Sequence, residues 1–314
     1  HPLLILAIGV LLVFVLILRF KINAFLALIA AATAVGVLAP NIAFEQVMPT
    51  VAESFGSVCA KIGIIIALAA VVGECVLESG SADKITRTAV RLFGEKRASL
   101  SLLGTGYVLA IPVFFDTVFY LLIPLARAMG IRAKSQYLLF VMSICAGGIC
   151  AHSLVPPTPG PLAMAATLGI DMGVMILGGM VIAIPMAIAG WLFATWQGRR
   201  LNLPLRETPG LSLAELEKIS LTAEERLPGL VPAMLPILLP VLLITSNTLF
   251  NALWPGTQVG RAAAFFGDAN FALLVSAAVS LMVLARHKRY SLAQLASTVE
   301  RGFAAAARCS MASV

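Results

Sequence analysis

Apolar residues fall along this chain in long runs, separated by short polar links. Leu3 to Leu18 and Ala24 to Ala39 are joined by Arg19 to Asn23, and each run is just long enough to cross a thin bilayer. The basic link belongs inside. Pro40 to Ser57 carries Glu45 and Glu53 but no Lys or Arg, as an outer-face connection would, and Ile62 to Leu77 then returns inward. That run ends in Glu74 and Glu78, and Glu74 reads as a cytoplasmic-end residue reaching for water. In the basic stretch Ser79 to Arg97, Ile85, Ala89 and Leu92 recur at helical spacing, which predicts an interfacial helix. Tyr137 to Ala151 is apolar and rich in small residues. It breaks at His152 to Pro161 and resumes at Leu162 to Leu168, because prolines at 156, 157, 159 and 161 cannot continue a helix. Val174 to Trp196 runs back inward, with a kink expected at Pro185 and Trp191 and Trp196 near the headgroups. Arg199 to Arg226 is a long polar loop. Leu227 to Leu249 and Phe271 to Ala285 are two further spans, and Ser291 to Val314 opens another helical stretch.

One stretch does not fit a simple crossing. From Ser99 to Ala126 the only charged residue is Asp116, near the middle, and a straight helix of that length would rise about 42 Å against a hydrocarbon core of roughly 30 Å. Both flanks are basic, with Lys96 and Arg97 before and Arg127, Arg132 and Lys134 after. Positive loops prefer the cytoplasm, so the economical reading is a re-entrant hairpin that enters, turns at Pro112 to Asp116 and returns. Irregular backbone at membrane depth is tolerated only against protein or a water-filled cavity, so the tip implies a site.

Composition sharpens this picture. Sixty per cent of the 314 residues are apolar, 12% are charged, and the mean hydropathy is +0.98, which identifies an all-α polytopic membrane protein. The net charge of +7 sits in short clusters that orient spans, so nucleic acid is not an expected partner. The first apolar run lacks a basic leading region and reads as a span, not a cleaved leader. Cys59, Cys75, Cys145, Cys150 and Cys309 show no paired spacing and read as packing residues. No metalloprotease, serine-hydrolase or phosphate-loop motif occurs, so no enzyme activity and no cofactor are expected.

The candidate chemistry lies at the two interruptions. Asp116 at the hairpin tip is costly at membrane depth and marks an ion or proton pathway; alternatively it or Thr117 caps the second arm. His152 and Ser153 end one half-helix, and Thr158 and Gly160 lie in the break before the next, where a helix start near Pro161 would favour an anion. The alternative for His152 is a ring bonded to a carbonyl simply to survive burial. A metal site from Cys145, Cys150 and His152 matches no established ligand spacing, so no metal is expected. Ser246-Asn247-Thr248 reads as a helix end at the interface.

Four stretches carry a resemblance: Arg19-Phe20-Lys21, Leu92 to Arg97, Ile111 to Asp116 with Leu121 to Leu125, and His152 to Pro161. Together they resemble the gluconate:proton symporter (GntP) family, over nearly the whole chain and in order. The resemblance implies the ion transporter superfamily fold: two inverted repeats, each with a re-entrant hairpin and a broken helix, and an elevator-like movement. It divides the chain into N-terminal spans with the interfacial helix (1–97), a transport core (98–197), a cytoplasmic loop (198–226) and the start of a second, incomplete repeat (227–314). It implies proton-coupled uptake of gluconate or a related small carboxylate across the bacterial inner membrane, by a multi-pass protein partnered by lipid, substrate and protons. A homo-oligomer is compatible with it. Asp116, Thr117, His152, Ser153, Thr158 and Gly160 are then the substrate contacts, with Asp116 also the proton carrier. Alternatives are an uncoupled channel or a transport-inactive fragment, because the family's second hairpin and second broken helix are expected beyond Val314.

Overall fold

The structure, a computed structural model, describes residues 1–94, 97–133, 136–201, 227–254 and 257–313. Among these residues it is all-helical, with no strand. Six segments are long and apolar enough to cross a membrane: Pro2–Arg19, Phe44–Glu78, Tyr137–Leu168, Met172–Arg200, Leu230–Leu253 and Ala269–Lys288. Ala24–Leu38 and Ala98–Leu109 are shorter apolar helices.

Helix α1 (Pro2–Phe14, extended by a π-helical turn to Arg19) opens with Pro2 in its first turn, where a missing N–H costs nothing. Its apolar side chains are exposed almost all round, which only lipid or another apolar surface can tolerate. Asn23 caps α2 (Ala24–Leu38) by accepting the Phe25 amide at 2.9 Å. The connection expected over Pro40 to Ser57 is shorter than its polarity suggests, for α3 already begins at Val47 and runs to Glu78. Its first turns carry Glu53, Ser54 and Ser57 on exposed positions, and that polarity conceals the helix from a search for apolar runs.

Helix α4 (Ser81–Phe93) is the expected amphipathic element, with Ile85 buried but Leu92 exposed. Helix α5 (Ala98–Leu109) is followed by a break at 110–114 and by α6 (Phe115–Ala133). Asp116 therefore lies in the first turn of α6, not in the turn itself. Lys96, Lys134 and Ser135 fall outside the described residues.

Helix α7 (Tyr137–Leu154) and α8 (Pro159–Leu168) flank the second break, and α9 (Met172–Arg200) continues through Pro185. This break is narrower than the proline pattern implies: His152 and Ser153 remain in α7, while Pro159 and Pro161 form the first turn of α8, where proline is tolerated. Asp171 caps α9 and also accepts the Thr248 hydroxyl, so the Ser246-Asn247-Thr248 triplet secures the end of α10 (Leu230–Leu253). The 202–226 part of the expected cytoplasmic loop lies outside the described residues. A short amphipathic α11 (Gln258–Phe266) precedes α12 (Ala269–Lys288) and α13 (Leu292–Ser313). Ser291 and Gln294 form a reciprocal capping box at the start of α13.

Two helices organise the packing. Helix α7 is held between α5, α6 and α9, while α3 is packed by α12, α13, α2, α8 and α4. The contacts along α7 fix the direction of its neighbours. Gly198 of α9 lies against Leu139 and Gly179 against Leu154, so α9 is antiparallel to α7. Trp191 Nε1 donates to Ser99 Oγ at 3.2 Å and the Tyr107 hydroxyl donates to the Met180 carbonyl at 3.0 Å, so α5 is antiparallel to α9. Phe115 lies against Gly148 and Gly130 against Tyr137, so α6 runs back along α7. The start of α5 and the end of α6 thus point toward the same end of the α7–α9 pair.

Candidate functional site

The two breaks meet. Phe114, the last residue of the 110–114 break, sets its ring edge-to-face against His152 with centroids 6.2 Å apart, and Asp116 lies within electrostatic reach of the imidazole. A Cβ on Gly148, one turn before His152, would fall 2.6 Å from the Phe115 ring, so its absence lets α6 begin this close to α7. Behind the break, a Cβ on Gly73 of α3 would lie 3.2 Å from the Pro112 carbonyl oxygen and 3.5 Å from Val113 Cα. Helix α3 is the wall on which this turn rests.

The polar groups divide into those used by the fold and those left over. Thr158 is buried, and its hydroxyl is directed at the carbonyls of His152 (2.7 Å) and Val155 (2.9 Å), acceptors freed where α7 ends. Its first task is to close the break. Ser153 and Gly160 are exposed, as is Asp116, which accepts no hydrogen bond among the described residues. Asp116 therefore does not cap α6 through its side chain, although a carboxylate in the first turn is favoured by the helix dipole. Thr117 is half-buried and its amide bonds to the Phe114 carbonyl at 3.1 Å. His152 differs from the carbonyl-bonded ring considered from sequence: its Nδ1 is buried and has no hydrogen-bond partner among the described residues. Such a nitrogen is costly unless something else meets it.

The space around the break decides which side a ligand can use. A gap of about 10 Å³ lies behind it, lined by Ile65, Pro156, Pro157, Met172, Ile176 and Leu273 among others, all apolar. That is room for one water at most. A larger cavity of about 320 Å³ lies between α2 and α3, but its lining is almost wholly apolar and includes no residue of either break. Neither of these apolar spaces suits a polar ligand, whereas Asp116, Ser153 and Gly160 are exposed. Among the described residues no group of His, Cys, Asp and Glu is arranged to hold a metal ion.

One polar cluster escapes any local reading of the sequence. Glu74 and Glu78 on α3 share Arg301 of α13, and Glu78 also accepts from Thr298 and Tyr290. Two carboxylates one turn apart with no nearby base were the available signal, since like charges at that spacing repel.

Comparison with known proteins follows the same direction. The family described as GntP family permease matches residues 1–311. A gluconate permease of Pseudomonas aeruginosa is 35% identical over 271 residues, covering 85% of this chain and 58% of the relative. A gluconate permease of Zymomonas mobilis is 30% identical, covering 91% of this chain and 63% of the relative. The Gnt-II system L-idonate transporter of Escherichia coli is 28% identical, with 94% and 65% covered. The chain thus spans about three-fifths of the length of these relatives. No solved structure matches it. With six segments able to cross a bilayer and a family match over residues 1–311, the chain belongs to the GntP permease family.

Proposed function

We propose that this chain serves secondary active uptake of gluconate or a closely related sugar acid across the bacterial inner membrane, coupled to protons. The observation that carries the reading is the meeting of the two helix breaks, where Phe114 packs on a histidine with an unpartnered buried nitrogen and Asp116 lies within electrostatic reach of it. The relatives' printed substrates, gluconate and L-idonate, are both polyhydroxy carboxylates. His152, Ser153, Thr117 and the Gly160 backbone would meet hydroxyl and carboxylate oxygens, and Thr158 would act mainly by closing the break through the His152 and Val155 carbonyls. Asp116 is the proton carrier: an ionised carboxylate repels an anionic substrate, so a proton there favours the anion and the anion favours the proton. The parallel placement of the α5 start and the α6 end supports a re-entrant hairpin.

The test uses the chain reconstituted in nanodiscs and in proteoliposomes. Radiolabelled gluconate should bind more weakly as pH rises, and an inward proton gradient should drive accumulation. Replacement of His152 by Ala should abolish binding at every pH. Binding that ignores both His152 and pH would refute the assignment. Re-entrance is tested separately: cysteines placed at Lys96 and Lys134 should be labelled from the same side of the membrane, and labelling from opposite sides would refute the hairpin.

A further inference from the structure

Helix α3 enters the site only through its wall, yet its C-terminal end carries the most connected polar cluster of the described residues. Arg301 Nε donates to Glu74 at 3.1 Å and its NH2 group donates to Glu78 at 2.5 Å, so one guanidinium spans two carboxylates. Glu78 also accepts the Thr298 hydroxyl at 2.7 Å and the Tyr290 hydroxyl at 3.0 Å. Thr298 is fully buried, and Glu74 and Glu78 keep only 26% and 23% of their side-chain surface. One residue past Arg301, a Cβ on Gly302 would lie 3.0 Å from Val71 Cα, so the two backbones touch here. The cluster joins α3, α13 and the α12–α13 turn through residues more than two hundred positions apart.

This arrangement constrains rotation. Glu74 lies one residue, or about 100° around the helix, from Gly73, whose bare edge supports the Pro112 carbonyl and Val113. Val71, Glu74 and Glu78 therefore face α13 while Gly73 faces the break. A turn of α3 about its axis that loosened the clasp would also swing a side chain toward the break in place of Gly73. Two partly desolvated carboxylates one helical turn apart repel, and among the described residues only the Arg301 fork pairs with both.

We infer that Glu74, Glu78 and Arg301 are positioning residues for the 110–114 break: the charge clasp fixes the rotation of α3 and so keeps Gly73 beneath the turn that leads into α6 and Asp116. The inference rests on the proposed function only for its importance to transport, because its test uses no substrate. Hydrogen–deuterium exchange is followed by mass spectrometry on the full chain in nanodiscs, in peptides covering residues 108–118 and 290–302. Arg301→Met should raise exchange in both peptides, by about five- to tenfold at the break. Arg301→Lys, which keeps one charge but not the fork, should fall between. The triple variant Glu74→Gln, Glu78→Gln, Arg301→Met, which removes the uncompensated charge but also the clasp, should still exchange at the break at least about threefold faster than the parent. Should Arg301→Met fail to insert, Thr298→Val and Tyr290→Phe each remove one donor from Glu78 and should raise exchange at the break by about twofold. Loosening confined to residues 290–302, or a triple variant whose break is protected like the parent's, would overturn the inference and leave the cluster a local anchor.

Discussion

Gly178 and Gly179 are adjacent in α9, and the same substitution should have opposite effects at the two. A Cβ on Gly178 meets nothing within 4 Å, whereas a Cβ on Gly179 would lie 2.2 Å from the Leu154 carbonyl oxygen, 3.0 Å from its carbon and 3.4 Å from Val155 Cα. Those atoms are the end of α7 at the break. Gly→Ala in a helix interior gains roughly 0.5–1 kcal/mol, so Gly178→Ala should stabilise the chain by about that much. At Gly179 the same gain is opposed by a backbone clash that must be relieved by opening α7 from α9 by about 1 Å, and overpacking of this kind costs roughly 1–3 kcal/mol. The net result should be a loss of about 1 kcal/mol, placing the two variants about 2 kcal/mol apart. Thermal unfolding of each in the same detergent reads the difference. Gluconate binding adds a second readout, since a shift of the α7 end carries His152 and the Thr158 bonds with it. Gly178→Ala should bind like the parent and Gly179→Ala at least about tenfold more weakly. Equal stability of the two variants, or a Gly179→Ala chain with parental affinity, would refute the reasoning.

Asp116→Asn imitates the protonated carboxyl, so it should retain gluconate binding while losing both its pH dependence and proton-driven accumulation; an unaltered pH profile of uptake would remove Asp116 from the proton pathway. Thr158→Val leaves the His152 and Val155 carbonyls without their buried donor and should cost about 1–3 kcal/mol in thermal stability, whereas Thr158→Ser should recover most of it. The hydrogen bond to Glu78 favours the protonated phenol of Tyr290 and pushes its pKa above the ordinary value. That bond is fully present below about pH 10 and is lost as pH rises through the raised value. The difference ultraviolet titration between the parent and Tyr290→Phe should therefore move to lower pH when Glu78 is replaced by Gln.

The helices were legible where apolar runs are unbroken, and less so where polarity or proline means something other than a loop. Val47 to Ser57 carries exposed Glu53, Ser54 and Ser57, so the first third of α3 reads as a connection although it is helical. The α7–α8 break was visible in its prolines, but its limits were not, because Pro159 and Pro161 are also good residues for a helix start. His152 and Asp116 each stood out as ionisable groups in apolar surroundings; that Phe114 bridges the two breaks depends on tertiary packing that no local spacing encodes. Glu74 illustrates the limit most clearly. Alone on α3 it resembles a residue reaching for water, and its partner Arg301 lies 227 positions away.

The start of α8 has a consequence for what can be held there. A helix ordinarily presents free amides over its first turn, but Pro159 and Pro161 have none, and the Leu162 amide is already bonded to the Thr158 carbonyl at 3.2 Å. Within residues 159–162 Gly160 supplies the one remaining N–H, at an exposed position with no atom near its missing side chain. This end of α8 is a one-pronged socket. It can grip a single oxygen, whether of a carboxylate or of a hydroxyl, and does not by itself distinguish an acid from an alcohol. On the proposed function, selection for the charged end of a sugar acid would then fall to other groups at the breaks, His152 and Asp116 among them.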